Sequence, residues 1–278
     1  MNTLQAKYEH LKSLLKEMGG IVVGYSGGVD STFLAKVATD VLGDQALSVA
    51  AISESYPKAE REEGRQFAEQ LGLNYIEVET SELENPEYRR NESNRCFFCK
   101  QELMIHLQQV ANERGIEVIS LGTVTDDLGD YRPGQSAAKQ AGARFPLVEA
   151  DLSKDDVRAL SQALEIPTWD KPAFACLSSR FPYGEEITRE KLEMVEQAED
   201  VLREMGFRQF RVRHHNNLAR VEVAPEEMES LFRQGETVYQ RLKDIGYQYI
   251  AMDLKGYRSG SMNEVLVQIE TPLSLQNT

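Results

Sequence analysis

Long apolar runs are missing from this chain. No stretch approaches the roughly 20 residues that crossing a bilayer requires, so no membrane partner is expected. The first 18 residues are charged and amphipathic, without the apolar core or cleavage pattern of a secretory signal, and a cytoplasmic location is expected. Cysteine is scarce. Three residues, an odd number, make a disulfide framework a poor reading and leave metal or catalytic roles. Basic residues are in deficit, with 31 Lys and Arg against 45 Asp and Glu, and the net charge is -14. Loose binding to nucleic acid draws its affinity from phosphate neutralisation, so a nucleic-acid partner is disfavoured. Internal repeats and low-complexity tracts are absent as well.

The chain does contain alternating β and α signals. Apolar periodicity predicts a helix over 2–17, a buried strand over 21–25 and a helix over 31–42. Strands over 46–52, 74–78 and 117–121 alternate with helices over 57–71 and 97–114. This order implies an α/β fold with a parallel sheet covered on both faces, with ligands at the carboxyl ends of the strands. The loops beginning at Ser26, Ser53 and Gly122 all lie at such ends. The segment 123–184 reads as loop-rich, with one helix over 154–164. After Gly184 the texture changes to helix, two strands around Asn216-Asn217, two helices and a strand. Two domains are therefore expected, 1–184 and a small α+β domain over 185–278 that serves substrate binding or oligomer contacts, in a homo-oligomer.

Between the first strand and its helix stands Ser26-Gly27-Gly28-Val29-Asp30-Ser31-Thr32. Paired glycines allow a tight turn and close backbone approach to a ligand. The helix that follows offers unpaired N–H groups to an anion. Ser26, Ser31 and Thr32 add hydroxyls, and Asp30 suits Mg²⁺ on a bound phosphate. A Walker loop is excluded because no lysine ends the string, and the glycine spacing does not fit a dinucleotide fingerprint. A plain αL turn with Ser31 as helix cap is the bland alternative. The string resembles the signature of the PP-loop ATP pyrophosphatases (the adenine nucleotide alpha hydrolase-like fold). That resemblance implies cleavage of ATP to AMP and pyrophosphate through an adenylated substrate.

Cys96-Phe97-Phe98-Cys99 opens a helix, and Cys176 lies far along the chain before Ser178-Ser179-Arg180. A spacing of three puts both sulfurs of the pair on one helix face, and a helix N-terminus favours thiolate. Zinc would need a fourth ligand. His106 is about 10 Å of helical rise from Cys99, too far to share an ion with it, whereas His214 and His215 stay open. Three thiolates without a fourth ligand suit a four-iron, four-sulfur cluster with one open iron.

The PP-loop string joins Asp130-Tyr131-Arg132-Pro133-Gly134, the run from Cys176 through Ser178-Ser179-Arg180-Phe181-Pro182-Tyr183-Gly184, Arg211-Val212-Arg213 and Arg220-Val221-Glu222. Together they resemble the LarE family over most of the chain. The resemblance implies ATP-dependent conversion of a carboxylate of pyridinium-3,5-biscarboxylic acid mononucleotide to a thiocarboxylate, in nickel-pincer nucleotide biosynthesis. It implies Cys176 as nucleophile. It also implies the three-cysteine branch, in which Cys96, Cys99 and Cys176 hold a [4Fe-4S] cluster and turnover is possible, rather than the branch in which the cysteine at the position of Cys176 gives up its own sulfur; the sulfur comes either from Cys176 or from a cluster-bound sulfide. ATP and Mg²⁺ complete the expected cofactors.

Arginine suits a substrate with two carboxylates and a phosphate. Among Arg132, Arg180, Arg211, Arg213, Arg220 and Arg258, Arg180 and Arg213 are preferred, with Arg132 as a further ligand contact. Ser53 and Gly122 are assigned to the nucleotide. Asp126 and Asp127 read as turn caps rather than Mg²⁺ ligands. Glu199, Asp200 and Glu222 read as a solvated acidic face. A tRNA thiolase, an ammonia-using synthetase and a non-catalytic nucleotide sensor are the rival readings.

Overall fold

The computed structural model describes residues 3–129, 133–172 and 175–258. Asp130, Tyr131 and Arg132 lie outside the described residues, so the contact assigned to Arg132 has no structural counterpart here. The chain divides into two compact units between Ala175 and Cys176, nine residues before the boundary expected from sequence. The 176–184 stretch belongs to the second unit because its side chains pair there: Arg180 is bound to Glu199, 19 residues on.

The first unit opens with α1 (Leu4–Met18), which Thr3 caps through a 3.2 Å bond from the Ala6 amide and Gly19 ends at φ 70°. Next come β1 (Ile21–Gly24), α2 (Val29–Leu42), β2 (Ala46–Ile52), α3 (Lys58–Gln70) and β3 (Tyr75–Glu79). After them stand α4 (Pro86–Arg89), α5 (Arg95–Arg114) and β4 (Val118–Leu121). The strands form one parallel sheet in the order β3-β2-β1-β4. Successive residues of β1 point to opposite faces. Ile21 and Val23 meet Leu11 and Leu15 of α1 and Phe33, Leu34 and Val37 of α2, while Val22 meets Met104, Leu107 and Val110 of α5. Both faces are thus covered, as the apolar strand runs predict.

The 123–184 segment is more helical than expected. It holds α6 (Pro133–Gln140), α7 (Pro146–Glu149) and α8 (Lys154–Ala163). Pro133-Gly134 and Pro146 look like turn signals, but each proline sits at the first helical position, where its missing N–H costs nothing. Gly134 is needed for packing, since a Cβ there would come within 3.0 Å of the Cys96 carbonyl on α5.

The second unit comprises α9 (Arg189–Glu204), β5 (Phe210–His215), β6 (Leu218–Val223), α10 (Met228–Arg233), α11 (Gly235–Ile245) and β7 (Tyr249–Met252). The sheet order is β5-β6-β7, with β5 and β6 antiparallel and β7 parallel to β6. Asn216, at φ 54°, makes the two-residue turn between β5 and β6. Val212, Val221 and Val223 bury one face of the sheet against Val201 and Leu202 of α9 and Leu242 of α11. Among the described residues no helix is long and apolar enough to cross a membrane.

Candidate active site

The loop after β1 turns at Gly27, which has φ +63°, while Gly28 is extended and serves as the N-cap of α2. Among the described residues no side chain caps this helix, so the bland alternative with Ser31 as cap is not what the loop adopts. Ser31 instead closes the loop on itself. Its Oγ accepts the Ser26 amide at 3.1 Å and lies 3.0 Å from the Ser26 hydroxyl. Thr32 is fully buried, with its amide donating to the Gly28 carbonyl at 3.0 Å. The loop is therefore held in shape from within. Its uncapped helix start has the features of an anion site.

Asp30 sits in the first turn of α2. Its Oδ2 is paired with Lys154 at the start of α8, and its Oδ1 is buried with no hydrogen-bond partner among the described residues. Burial pushes the Asp30 carboxyl up, and the Lys154 ammonium pulls it back only part of the way. A buried carboxylate oxygen without a donor fits a Mg²⁺ ligand. Gly122 directly follows β4, and a Cβ on it would lie 2.7 Å from the Ser31 amide nitrogen and 2.9 Å from the Asp30 carbonyl carbon. Only glycine lets the end of β4 approach the start of α2 this closely. Asp126 and Asp127 act as caps, as the sequence suggests: Asp126 accepts the Lys154 amide at 2.8 Å and Asp127 the Val124 amide at 3.1 Å.

Ser53, at the end of β2, has its hydroxyl 3.0 Å from that of Ser55. Beside it lies Glu82, a buried carboxylate that burial pushes up against hydrogen bonds from Ser53 and Cys99. The Cys99 thiol donates to Glu82 Oε1 at 3.6 Å. Cys96 and Cys99 stand in the first turns of α5, Cys96 exposed and Cys99 half-buried. Among the described residues no group of three His, Cys, Asp or Glu side chains has the arrangement of a metal site.

In the second unit, Cys176 is half-buried and precedes a short 3₁₀ turn, Leu177–Arg180. Its carbonyl accepts the Ser179 amide at 3.0 Å and Arg180 Nη1 at 2.9 Å. Arg180 is only 1% exposed, and its Nε and Nη2 grip both oxygens of Glu199 at 2.9 and 2.8 Å. Burial opposes both charges, but their attraction prevails, raising Arg180 and lowering Glu199 relative to their usual ranges. Arg213 donates to Glu222 at 2.8 Å and to the Ser179 carbonyl at 3.1 Å. The expectation of a solvated face at Glu199 and Glu222 is corrected, since they are 4% and 0% exposed. The physical reason is pairing, because each is neutralised by a buried arginine. Arg180 and Arg213 thereby brace the Cys176 segment through its backbone. Arg211 lies over the Tyr257 ring at 5.1 Å, and burial, with Arg180 nearby, lowers its affinity for a proton.

Two residues escaped sequence reasoning. Lys154 supplies the cation that the Ser26 loop lacks, from 124 residues away. The capping box of Ser153 and Asp156 marks where its helix starts, but nothing local says where that helix docks. Glu82 gave no signal among its exposed acidic neighbours.

One unit thus carries a glycine loop at an uncapped helix start beside the Asp30 carboxylate, and the other an arginine-braced cysteine. A family model described as NAD synthase matches residues 3–182. A protein of Lactiplantibacillus plantarum named pyridinium-3,5-bisthiocarboxylic acid mononucleotide synthase is 37% identical, over 97% of this chain and 98% of its own. The chain belongs to the NAD synthase family of PP-loop enzymes and, within it, to the LarE family. An uncharacterised Synechocystis protein is 47% identical over 95% of this LarE-family chain and 100% of its own. One subunit of the glutamine-hydrolysing GMP synthase of Methanococcus vannielii is 30% identical over 70% of the chain and 67% of its own. As a LarE-family member the chain is an ATP-using enzyme with an α/β PP-loop domain.

Proposed function

We propose that this enzyme adenylates a carboxylate of pyridinium-3,5-biscarboxylic acid mononucleotide and replaces one of its oxygens with sulfur. The observation that carries the reading is near-full-length similarity to a relative named for making the bisthiocarboxylic acid mononucleotide. The first unit supplies the activating half. A substrate carboxylate oxygen attacks the α-phosphorus of ATP, the bond to the β-phosphate oxygen breaks, and pyrophosphate leaves. Gly27, Gly28 and the uncapped start of α2 receive that pyrophosphate. Asp30 would hold Mg²⁺, and Lys154 adds positive charge beside it.

Sulfur then attacks the acyl carbon and AMP leaves. Cys176 is assigned as the nucleophile, held by the Arg180 bond to its carbonyl: its thiolate displaces AMP to form a thioester, and a sulfide then displaces that thiolate, so the thiocarboxylate leaves and Cys176 keeps its sulfur. By type, the thiols of Cys96, Cys99 and Cys176 are the soft donors that iron–sulfur clusters take. When bound, a [4Fe-4S] cluster supplies a transferable sulfide. The second unit contributes substrate recognition or contacts between copies in a homo-oligomer. The net charge of -14 weighs against tRNA as the acceptor.

Pyrophosphate release under anaerobic conditions tests the reading. Release is expected with the pyridinium mononucleotide and not with tRNA or ammonia. Cys176→Ala should release about one pyrophosphate per site and then stall, with no thiocarboxylate formed. Full product formation by Cys176→Ala would remove the thiolation reading.

A further inference from the structure

The Ser26 loop has a second support, on its α3 side. Tyr56, two residues before α3, reaches back so that its hydroxyl lies 3.1 Å from the Ser26 carbonyl and 3.4 Å from the Glu60 carbonyl, and donates to the nearer of the two. Tyr25, the residue before the loop, donates its own hydroxyl to the Gly64 carbonyl in the middle of α3 at 3.0 Å. Between these two bonds the backbones touch, and a Cβ built on Gly27 would lie 3.0 Å from the Gly64 Cα.

The Ser26–Gly27 peptide is planar and trans, so its C=O and N–H point in opposite directions. Tyr56 holds the carbonyl toward α3, which turns the Gly27 amide to the opposite face of the loop. Glycine accepts both signs of φ at little cost, so Gly27, at +63°, does not by itself hold that orientation. We infer that Tyr56 is a positioning residue that locks the Ser26–Gly27 peptide with its amide aimed at the departing pyrophosphate. This rests on the reading of the Ser26 loop as the pyrophosphate site.

Calorimetry on the full chain, with Mg²⁺ and either inorganic pyrophosphate or AMP as probe, separates the two claims. Failure of the wild-type chain to bind pyrophosphate would refute the site itself. If the wild type binds, Tyr56→Phe should weaken pyrophosphate about five- to tenfold, the worth of one hydrogen bond, and leave AMP affinity unchanged. Its melting temperature should stay within about 2 °C of wild type. Unchanged pyrophosphate affinity in Tyr56→Phe, or equal loss of both ligands, would overturn the inference. A second measurement needs no variant: hydrogen exchange at the Gly27 amide of the wild type should slow when pyrophosphate binds. An unchanged rate would equally overturn it.

Discussion

The Ser26 loop and the arginine-rich face of the second unit treat charge in opposite ways. In the loop, among the described residues, Asp30 keeps one buried oxygen without a donor, and the helix behind it has no side-chain cap. In the second unit, Arg180 and Arg213 are matched by Glu199 and Glu222, and further donors go to the backbone of the Cys176 segment. Polar groups left incomplete in a folded protein point to a ligand, whereas polar groups satisfied at depth point to architecture. The two regions should therefore fail differently when altered.

The largest expected effect is on stability in the second unit. Arg180→Ala leaves Glu199 charged and buried with the Val212 amide at 3.0 Å but without its ion-pair partner, and should destabilise that unit by about 3–5 kcal/mol, read as a lower urea midpoint. A midpoint close to wild type would mean that Arg180 is held for a ligand instead. Asp30→Asn should act the other way round. Pyrophosphate release should fall on the order of a hundredfold, the scale for a group that stabilises transition-state charge. Its melting temperature should move little, because Lys154 is 33% exposed and can turn to water. A large drop in melting temperature with activity retained would erase the contrast.

A smaller effect comes from pH. His214 is buried, 3.0 Å from the Tyr247 hydroxyl and 3.4 Å from Glu185, with Lys191 and His215 nearby. Burial lowers both His214 and His215, so the neutral rings are favoured in the folded state. Their contribution is fully present above the unfolded value of about 6.5 and is lost as pH falls below it. The urea midpoint of the second unit should fall between about pH 7.5 and about pH 5.5, and His214→Phe should flatten that slope. A midpoint that rises on acidification would contradict the sign.

How far the sequence could be read follows from the same contrast. The strand, loop and helix at 21–42 are legible because each signal is local: β-branched residues, adjacent glycines, then helical periodicity. The ion pairs were hidden because their partners are far apart in the chain or look ordinary. Glu199 did leave a trace, since it falls on the same stripe of α9 as Val195 and Leu202, which are four residues before it and three after. An acidic residue on an apolar stripe signals a buried partner more than a solvated face. Glu222 stands directly across from Arg211 on β5, a register that becomes visible only once the Asn216-Asn217 turn is fixed. Lys154 and Glu82 gave no comparable sign, because helix docking brings them to the loop and to Cys99.

Mass spectrometry after anaerobic incubation with ATP, Mg²⁺ and the pyridinium mononucleotide bears most directly on the enzyme's chemistry. The account predicts AMP and pyrophosphate in equal amounts, a product with a carboxylate oxygen replaced by sulfur, and a chain that still carries the Cys176 sulfur. A sulfur-free product, or pyrophosphate released without that substrate, would contradict it.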